Sequence, residues 1–137
     1  KYAVTVGGGR NHRFNLSDGA MLKDNHIDAA GGITAAVRAI RGRLGHMVKL
    51  EVETRSLDEV REALAAGADV IMLDNMDCAA MAEAVRLADG RVPLEASGGI
   101  TAETLRAVAE TGVDIISIGA LTHSVKALDI SLKIQKA

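Results

Sequence analysis

The chain has 137 residues, 48% of them apolar, a formal charge of -2, one cysteine and two aromatic residues, Tyr2 and Phe14. That is enough to bury one core, while the balanced charge and scarce aromatics exclude the basic footprint of a nucleic-acid or anionic-membrane binder and the stacking platforms of single-strand binders. Cys78 alone supplies neither a disulfide framework nor a cysteine zinc site, and no stretch resembles a signal peptide or an apolar span of about 18 residues, so a cytosolic chain without membrane insertion is expected.

Reading from the start, Lys1-Tyr2-Ala3-Val4 begins inside an apolar pattern with no initiator Met. The chain is therefore expected to be part of a larger domain with at least one strand upstream. Next come the triple glycine Gly7-Gly8-Gly9, then Arg10, His12 and Arg13, and after a short interval Lys23-Asp24-Asn25-His26. Arginine offers a planar fork that meets a carboxylate with two bonds, and lysine a compact charge suited to phosphate or pyrophosphate, so these cations form an anion-binding constellation. A solvated charged loop is the competing reading. Without further spaced ligands, His12 and His26 are not expected to hold a metal.

Four short apolar runs follow, at 48–53 (VKLEVE), 70–74 (VIMLD), 92–97 (VPLEAS) and 115–119 (IISIG). They are rich in β-branched residues and too short for helices, so they read as buried parallel strands. Each closes on a polar or glycine position, Glu53, Asp74, Ser97 and Gly119, about 22 residues apart, which is one strand, one helix and two loops. Between them Leu57, Val60 and Leu64, then Met81, Ala84, Val85 and Ala88, then Leu105, Val108 and Ala109 recur at helical intervals. Ser56 with Glu59 has capping-box spacing, Thr101 is a candidate N-cap, and Gly67, Gly90 and Gly112 sit where helices end. Gly67-Ala68-Asp69-Val70 and Gly112-Val113-Asp114-Ile115 repeat one helix-to-strand junction. The fold class expected is α/β, an open (β/α) barrel of TIM-like type, incomplete in this chain; a doubly wound open sheet is the alternative. At the end Leu128, Ile130, Leu132 and Ile134 alternate with polar residues in period two, the pattern of a half-exposed strand that pairs outside the barrel.

Barrel enzymes place catalytic groups at the C-terminal ends of strands. Glu53 and Asp74 are expected there together, a pair able to hold a divalent cation, accept from sugar hydroxyls or stabilise positive charge on a ribose ring, with structural ion pairs as the bland alternative. Ser97-Gly98-Gly99, leading toward a helix near Thr101, and Gly119 before Ala120 to Ser124 suit a phosphate cradle, since glycine lets backbone N–H groups approach an anion closely. Tight-turn glycines are the competing reading there. His123 could donate to the same phosphate, with a surface or core histidine as the competing reading.

The segments GGGRNHRFNLSDGAMLKDNHI, LEVE, MLDNM, EASGGI and VDIISIGALTHS, in that order and through nearly the whole chain, closely resemble the C-terminal part of the quinolinate phosphoribosyltransferase family, the carboxylating nicotinate-nucleotide pyrophosphorylases. The resemblance implies that residues 1–137 are a partial C-terminal β/α-barrel catalytic domain of a two-domain enzyme. It implies transfer of phosphoribose from 5-phosphoribosyl-1-pyrophosphate to quinolinate, with magnesium, giving nicotinate mononucleotide, pyrophosphate and carbon dioxide in NAD biosynthesis. It also assigns His12 and Arg13 to the quinolinate carboxylates, Lys23 to the junction of quinolinate and pyrophosphate, and Glu53 and Asp74 to the ribose hydroxyls and magnesium. Ser97, Gly98, Gly99, Gly119 and His123 fall to the 5-phosphate. A homodimer or higher homo-oligomer is implied for the full-length protein, in which a partner subunit supplies an arginine, so weak or no activity is expected of these residues alone.

Other readings remain beside it. A relative such as the molybdenum-transport-associated ModD proteins would use a different acceptor, which His12-Arg13 beside Lys23 disfavours. An inactive fragment would serve only as a phosphate-binding or assembly module. A phosphosugar isomerase or aldolase is disfavoured because no lysine ends a recognised strand to form a Schiff base.

Overall fold

The computed structural model describes residues 1–135. Its frame is a parallel five-stranded sheet in sequence order: β1 (Ala20–Leu22), β2 (Leu50–Thr54), β3 (Val70–Asp74), β4 (Leu94–Ser97) and β5 (Ile115–Ile116). Helices fill the connections: α1 (Tyr2–Val6) precedes β1, α2 (Asp24–Ala30) and α3 (Ile33–Arg41) join β1 to β2, and α4 (Leu57–Ala66), α5 (Cys78–Ala88) and α6 (Leu105–Ala109) follow in turn, with α7 (Ala120–His123) after β5. Sequential parallel strands with helical crossovers are the open-barrel arrangement that the 22-residue period predicts.

Side chains alternate across a strand, and here the alternation separates two chemistries. Leu50, Val52, Ile71, Leu73, Leu94 and Ala96 face the helices and join Ile33, Ala36, Val37, Val60, Ala63, Met81, Ala84 and Val108 in one aliphatic core. The opposite set on the same strands is Glu51 and Glu53, Met72 and Asp74, Glu95 and Ser97, and these line the concave face. The core is therefore built from one side of the sheet only. Its helices are held by sequence-local devices. The Ser56 hydroxyl accepts from the Glu59 amide at 3.2 Å and Asp77 from Ala80 at 2.8 Å, while Gly67 closes α4 in the left-handed conformation.

The repeated helix-to-strand junction has a physical basis. Asp69, just before β3, accepts from the first amide of β2, Leu50 N–H, at 2.7 Å, and Asp114, just before β5, accepts from the first amide of β4, Leu94 N–H, at 2.8 Å. Each aspartate thus satisfies a strand-start donor that the parallel ladder leaves free. Arg41 pairs with Asp69 at 2.7 Å, tying α3 to the same junction.

Several expectations shift. The N-terminal third holds β1, α2 and the amphipathic α3 rather than a charged loop alone, with Ile33, Ala36 and Val37 buried. The left-handed cap of α5 falls on Asp89, one residue before Gly90. Thr101 starts a turn instead of a helix: its amide donates to the Thr104 hydroxyl at 2.9 Å and α6 opens at Leu105. β5 is only two residues long because it has a ladder on its β4 side alone. The alternating segment from Leu128 to Ile134 forms no strand here. Residues 125–135 lack regular structure, and Ile134 is 89% exposed, since an extended backbone needs a partner to satisfy it.

Candidate functional site

Register decides which side chains meet. Met21 pairs with Glu51 and Leu22 with Val52, so carrying the ladder one residue on sets Lys23 beside Glu53. Glu53 pairs with Met72, Met72 with Glu95, and Asp74 with Ser97. The consequence is one polar tier of Lys23, Glu53 and Glu95 and, a residue pair higher, a second of Asp74 and Ser97. Together with Gly119, these line a cleft of about 660 Å³ at the C-terminal ends of the strands, which His12 and Arg13 also line. The grouping of Glu53, Asp74, Ser97 and Gly119 expected from the sequence is what the strands produce.

Lys23 follows β1 directly, so a lysine does end a strand, and the stated ground for setting aside Schiff-base chemistry falls away. Three residues, Ala-Met-Leu, carry no β-branched signal by which the sequence alone would mark this strand.

Negative charge accumulates on this rim. Burial pushes the Glu53 carboxyl above its ordinary range, the charge of Asp74 adds to the rise, and Lys23 opposes it. Two carboxylates that repel each other beside a single lysine make a site short of positive charge.

Beyond Asp74 the chain turns through Asn75, whose φ is 52°. Its side-chain amide donates to Asp74 Oδ2 at 2.8 Å, and its backbone N–H donates to the Ser97 carbonyl at 2.9 Å. The amide lies over Gly98, where a Cβ would come within 2.3 Å of Asn75 Oδ1. Gly98 and Gly99 both have positive φ, and their amides make no hydrogen bond among the described residues. This leaves two backbone donors in the loop that follows Ser97, which itself lines the cleft. His123 folds back over Gly119, where a Cβ would lie 2.8 Å from the ring Nε2, and its Nδ1 is 2.8 Å from the Ser124 hydroxyl. α6 opens only at Leu105, after the turn from Thr101, so the sequence does not run from Gly99 directly into a helix as expected.

Deeper in the concavity His12 Nε2 lies 3.1 Å from Glu51 and 3.2 Å from Glu95. Neither glutamate stood out in the sequence, because each sits inside an apolar run; only the period-two alternation with Glu53 and Ser97 marks their face. Glu95 is 3% exposed and Glu51 9%. Hydrogen bonds to Glu51 and Glu95 raise the His12 pKa from 6.5 to about 10, against burial. Burial pushes the Glu95 carboxyl up, but His12 and the Ser117 hydroxyl outweigh it and hold it below its ordinary range. The three residues place ligand-type atoms within 4.8 Å of one another, a grouping the sequence spacing did not suggest. The imidazolium is the charge that meets both carboxylates here: it faces Glu51 Oε2 and Glu95 Oε1, while Glu51 Oε1 is buried with no partner among the described residues.

The remaining N-terminal cations divide. Arg13 donates to the Gly19 carbonyl at 3.3 Å, at the foot of β1. With Arg10 and Lys49 it lines a second cavity, of about 590 Å³, at the N-terminal ends of the strands. His26 does not reach the cleft; its Nδ1 accepts from the Lys23 amide at 3.0 Å and caps α2.

Residues 1–133 match the family profile described as quinolinate phosphoribosyl transferase, C-terminal domain. The chain is 54% identical over 134 residues to a probable nicotinate-nucleotide pyrophosphorylase [carboxylating] of Bacillus subtilis, covering 98% of this chain and 46% of that protein. It is 51% identical to the chloroplastic nicotinate-nucleotide pyrophosphorylase [carboxylating] of Arabidopsis thaliana, covering 98% and 44%. The solved nicotinate-nucleotide pyrophosphorylase of Francisella tularensis superposes with a TM-score of 0.90 at 47% identity, over 98% of this chain and 48% of that one. The chain thus spans about half the length of the relatives it matches.

Two outcomes follow from the geometry. A raised histidine pKa stabilises the fold fully below the unfolded value near 6.5 and ceases to do so as pH rises through about 10. Melting temperature should therefore fall across that interval, and His12→Gln should lack that component of the slope; parallel profiles would contradict the account. Gly98→Ala, which sets a Cβ against Asn75 at a φ of +91°, should lower unfolding free energy by about 1–3 kcal/mol in denaturant titrations. A loss below about 0.5 kcal/mol, the range of an ordinary surface change, would contradict it.

Proposed function

The chain belongs to the quinolinate phosphoribosyl transferase family, whose C-terminal domain it matches, and from that premise we propose that it carries the phosphoribosyl-transfer site of a carboxylating nicotinate-nucleotide pyrophosphorylase. The observation that carries the reading is the convergence of Lys23, Glu53, Asp74, Ser97 and Gly119 on one cleft at the strand C-termini. A sugar phosphate needs an anion cradle and, one ribose away, acceptors for its hydroxyls; the free amides of Gly98 and Gly99 lie beside Asp74 through Asn75.

In the proposed reaction the 5-phosphate of 5-phosphoribosyl-1-pyrophosphate rests on the amides of Gly98, Gly99 and Gly119 with the Ser97 hydroxyl and His123. Glu53 and Asp74 accept from the ribose hydroxyls and stabilise positive charge as the anomeric carbon loses pyrophosphate, which departs with the bonding electron pair. Lys23, level with Glu53, stands where the ring of quinolinate and the pyrophosphate meet. The pyridine nitrogen attacks the anomeric carbon and becomes cationic. The bond to the neighbouring carboxylate then breaks, its electron pair stays on the ring carbon beside the cationic nitrogen, carbon dioxide leaves, and that carbon takes a proton from solvent. His12 and Arg13 are proposed for the quinolinate carboxylates. Because Glu51 and Glu95 engage Nε2 and keep the ring charged, His12 retains its Nδ1–H as a donor for a carboxylate oxygen.

A hard divalent cation suits this rim. Glu53 and Asp74 are oxygen donors, and the Glu53 carboxyl is raised by burial first and by Asp74's charge second, both of which a bound cation would offset. Bound there with substrate, magnesium would neutralise charge on the leaving pyrophosphate.

No helix of the described residues is long and apolar enough to cross a membrane. The cytosol is proposed as the compartment and a homodimer or higher homo-oligomer as the full-length assembly; relatives in plants carry chloroplastic or mitochondrial in their names.

The test is formation of nicotinate mononucleotide from quinolinate and 5-phosphoribosyl-1-pyrophosphate with magnesium, in a chain of the relatives' full length. Glu53→Gln and Asp74→Asn should each lower kcat about tenfold or more, a loss of about 1.4 kcal/mol or greater in transition-state stabilisation. Product formation with quinolinate replaced by another acceptor, and none with quinolinate, would refute the reading.

A further inference from the structure

We propose that Asn75 is a positioning residue that couples the acidic rim to the phosphate cradle, so that Asp74 and the Gly98–Gly99 loop act on a bound sugar phosphate as one unit. The proposal deepens the phosphoribosyl-transfer reading and rests on it.

Three independent features of one residue support it. The first is backbone strain: Asn75 has φ 52° although it is not glycine, a left-handed conformation that costs an L-residue on the order of 1 kcal/mol and is tolerated best by Asn and Asp. Glycine would hold that turn without the steric cost, so the presence of a side chain there calls for an account. The second is the amide. Nδ2 donates to Asp74 Oδ2 at 2.8 Å, which occupies one carboxylate oxygen and leaves the other without a partner among the described residues, in a residue that lines the cleft. Without this bond the carboxylate, at the end of its strand, rotates about its own side-chain torsions. The third is contact with the loop. The same amide lies over Gly98, with Oδ1 2.3 Å, Cγ 2.5 Å and Nδ2 2.8 Å from where a Cβ would stand, and Oδ1 is 4.0 Å from the corresponding point on Gly99. Gly98 therefore has no side chain because Asn75 fills that volume, and the loop keeps the arrangement that leaves its amides free.

The backbone of Asn75 makes its own, separable contribution. Its N–H donates to the Ser97 carbonyl at 2.9 Å and continues the β3–β4 ladder past the last paired residues. That bond does not need the side chain. Asn75→Gly removes the amide while preserving both the backbone hydrogen bond and the left-handed turn, so it isolates positioning from folding.

In the full-length enzyme, Asn75→Gly should raise KM for 5-phosphoribosyl-1-pyrophosphate about tenfold, the effect of losing a hydrogen bond to a charged group, with KM for quinolinate within about twofold and melting temperature near wild type. Asn75→Asp replaces the donor with an oxygen against Asp74 and should do worse on the same parameter. Unchanged kinetics in Asn75→Gly, or equal losses for both substrates together with a lowered melting temperature, would overturn the proposal. Calorimetric binding of ribose 5-phosphate separates the proposal from the reading beneath it. If wild type shows no quinolinate-dependent turnover, the reaction assignment fails, yet weaker ribose 5-phosphate binding in Asn75→Gly still upholds the coupling. Equal binding, or no binding by either protein, refutes it.

Discussion

The period-two alternation of parallel strands is the constraint on which this structure depends. With helices covering one face, every second residue of β2, β3 and β4 is buried: Val52, Leu73 and Ala96 are aliphatic and fully buried there, and the one polar member, Thr54, donates its hydroxyl to the Met72 carbonyl at 2.8 Å. The intervening residues are released from that demand, and in this chain they include Glu51, Glu53, Asp74, Glu95 and Ser97. A slip of one residue in any strand would drive carboxylates into the aliphatic core, at a cost of several kcal/mol per ion. Core and cleft are therefore specified by the same register, and Asp69 and Asp114 help fix it by binding the first amide of the neighbouring strand.

Electrostatics inside the concavity follows from the same alternation. Two glutamates on the inner face require a cation, and His12, brought in by the segment after the triple glycine, supplies it through Nε2. The ring cannot lose its proton without leaving two poorly solvated carboxylates unpaired. A charge needed for structure is thus also available at its other nitrogen to a ligand. At the rim the balance is reversed: Glu53 and Asp74 outnumber Lys23, and burial sharpens their mutual repulsion. The site consequently has an inner cationic donor, an acidic shoulder and, across Asn75, a glycine loop with free amides, three environments that the proposed reaction would use for carboxylate, ribose and phosphate.

Much of this was legible in the sequence because periodicity reports packing directly. The β2, β3 and β4 runs, the helices carrying Val60 and Met81, the Ser56 cap and the rim set Glu53, Asp74, Ser97 and Gly119 all derive from local pattern. β1 was not legible, since Ala-Met-Leu is short and has no β preference, and with it went the placement of Lys23. Glu51 and Glu95 were hidden by the apolar residues flanking them, and their partner His12 lies about 40 and 80 residues away in sequence, a separation that no periodicity bridges. The tail from Leu128 to Ile134 shows the converse: its alternation is clear, but a strand exists only with a partner, and none is among the described residues. Asn75 escaped notice because its role depends on backbone conformation and on the loop after the next strand.

The central claim is that acidic rim and glycine loop grip the same molecule, and a crystal structure of the protein with ribose 5-phosphate tests it most directly. The account predicts the phosphate on the amides of Gly98, Gly99 and Gly119 and the ring hydroxyls on Glu53 and Asp74. A phosphate held instead by Arg10, Arg13 and Lys49 at the opposite end of the strands, with the rim untouched, would contradict it.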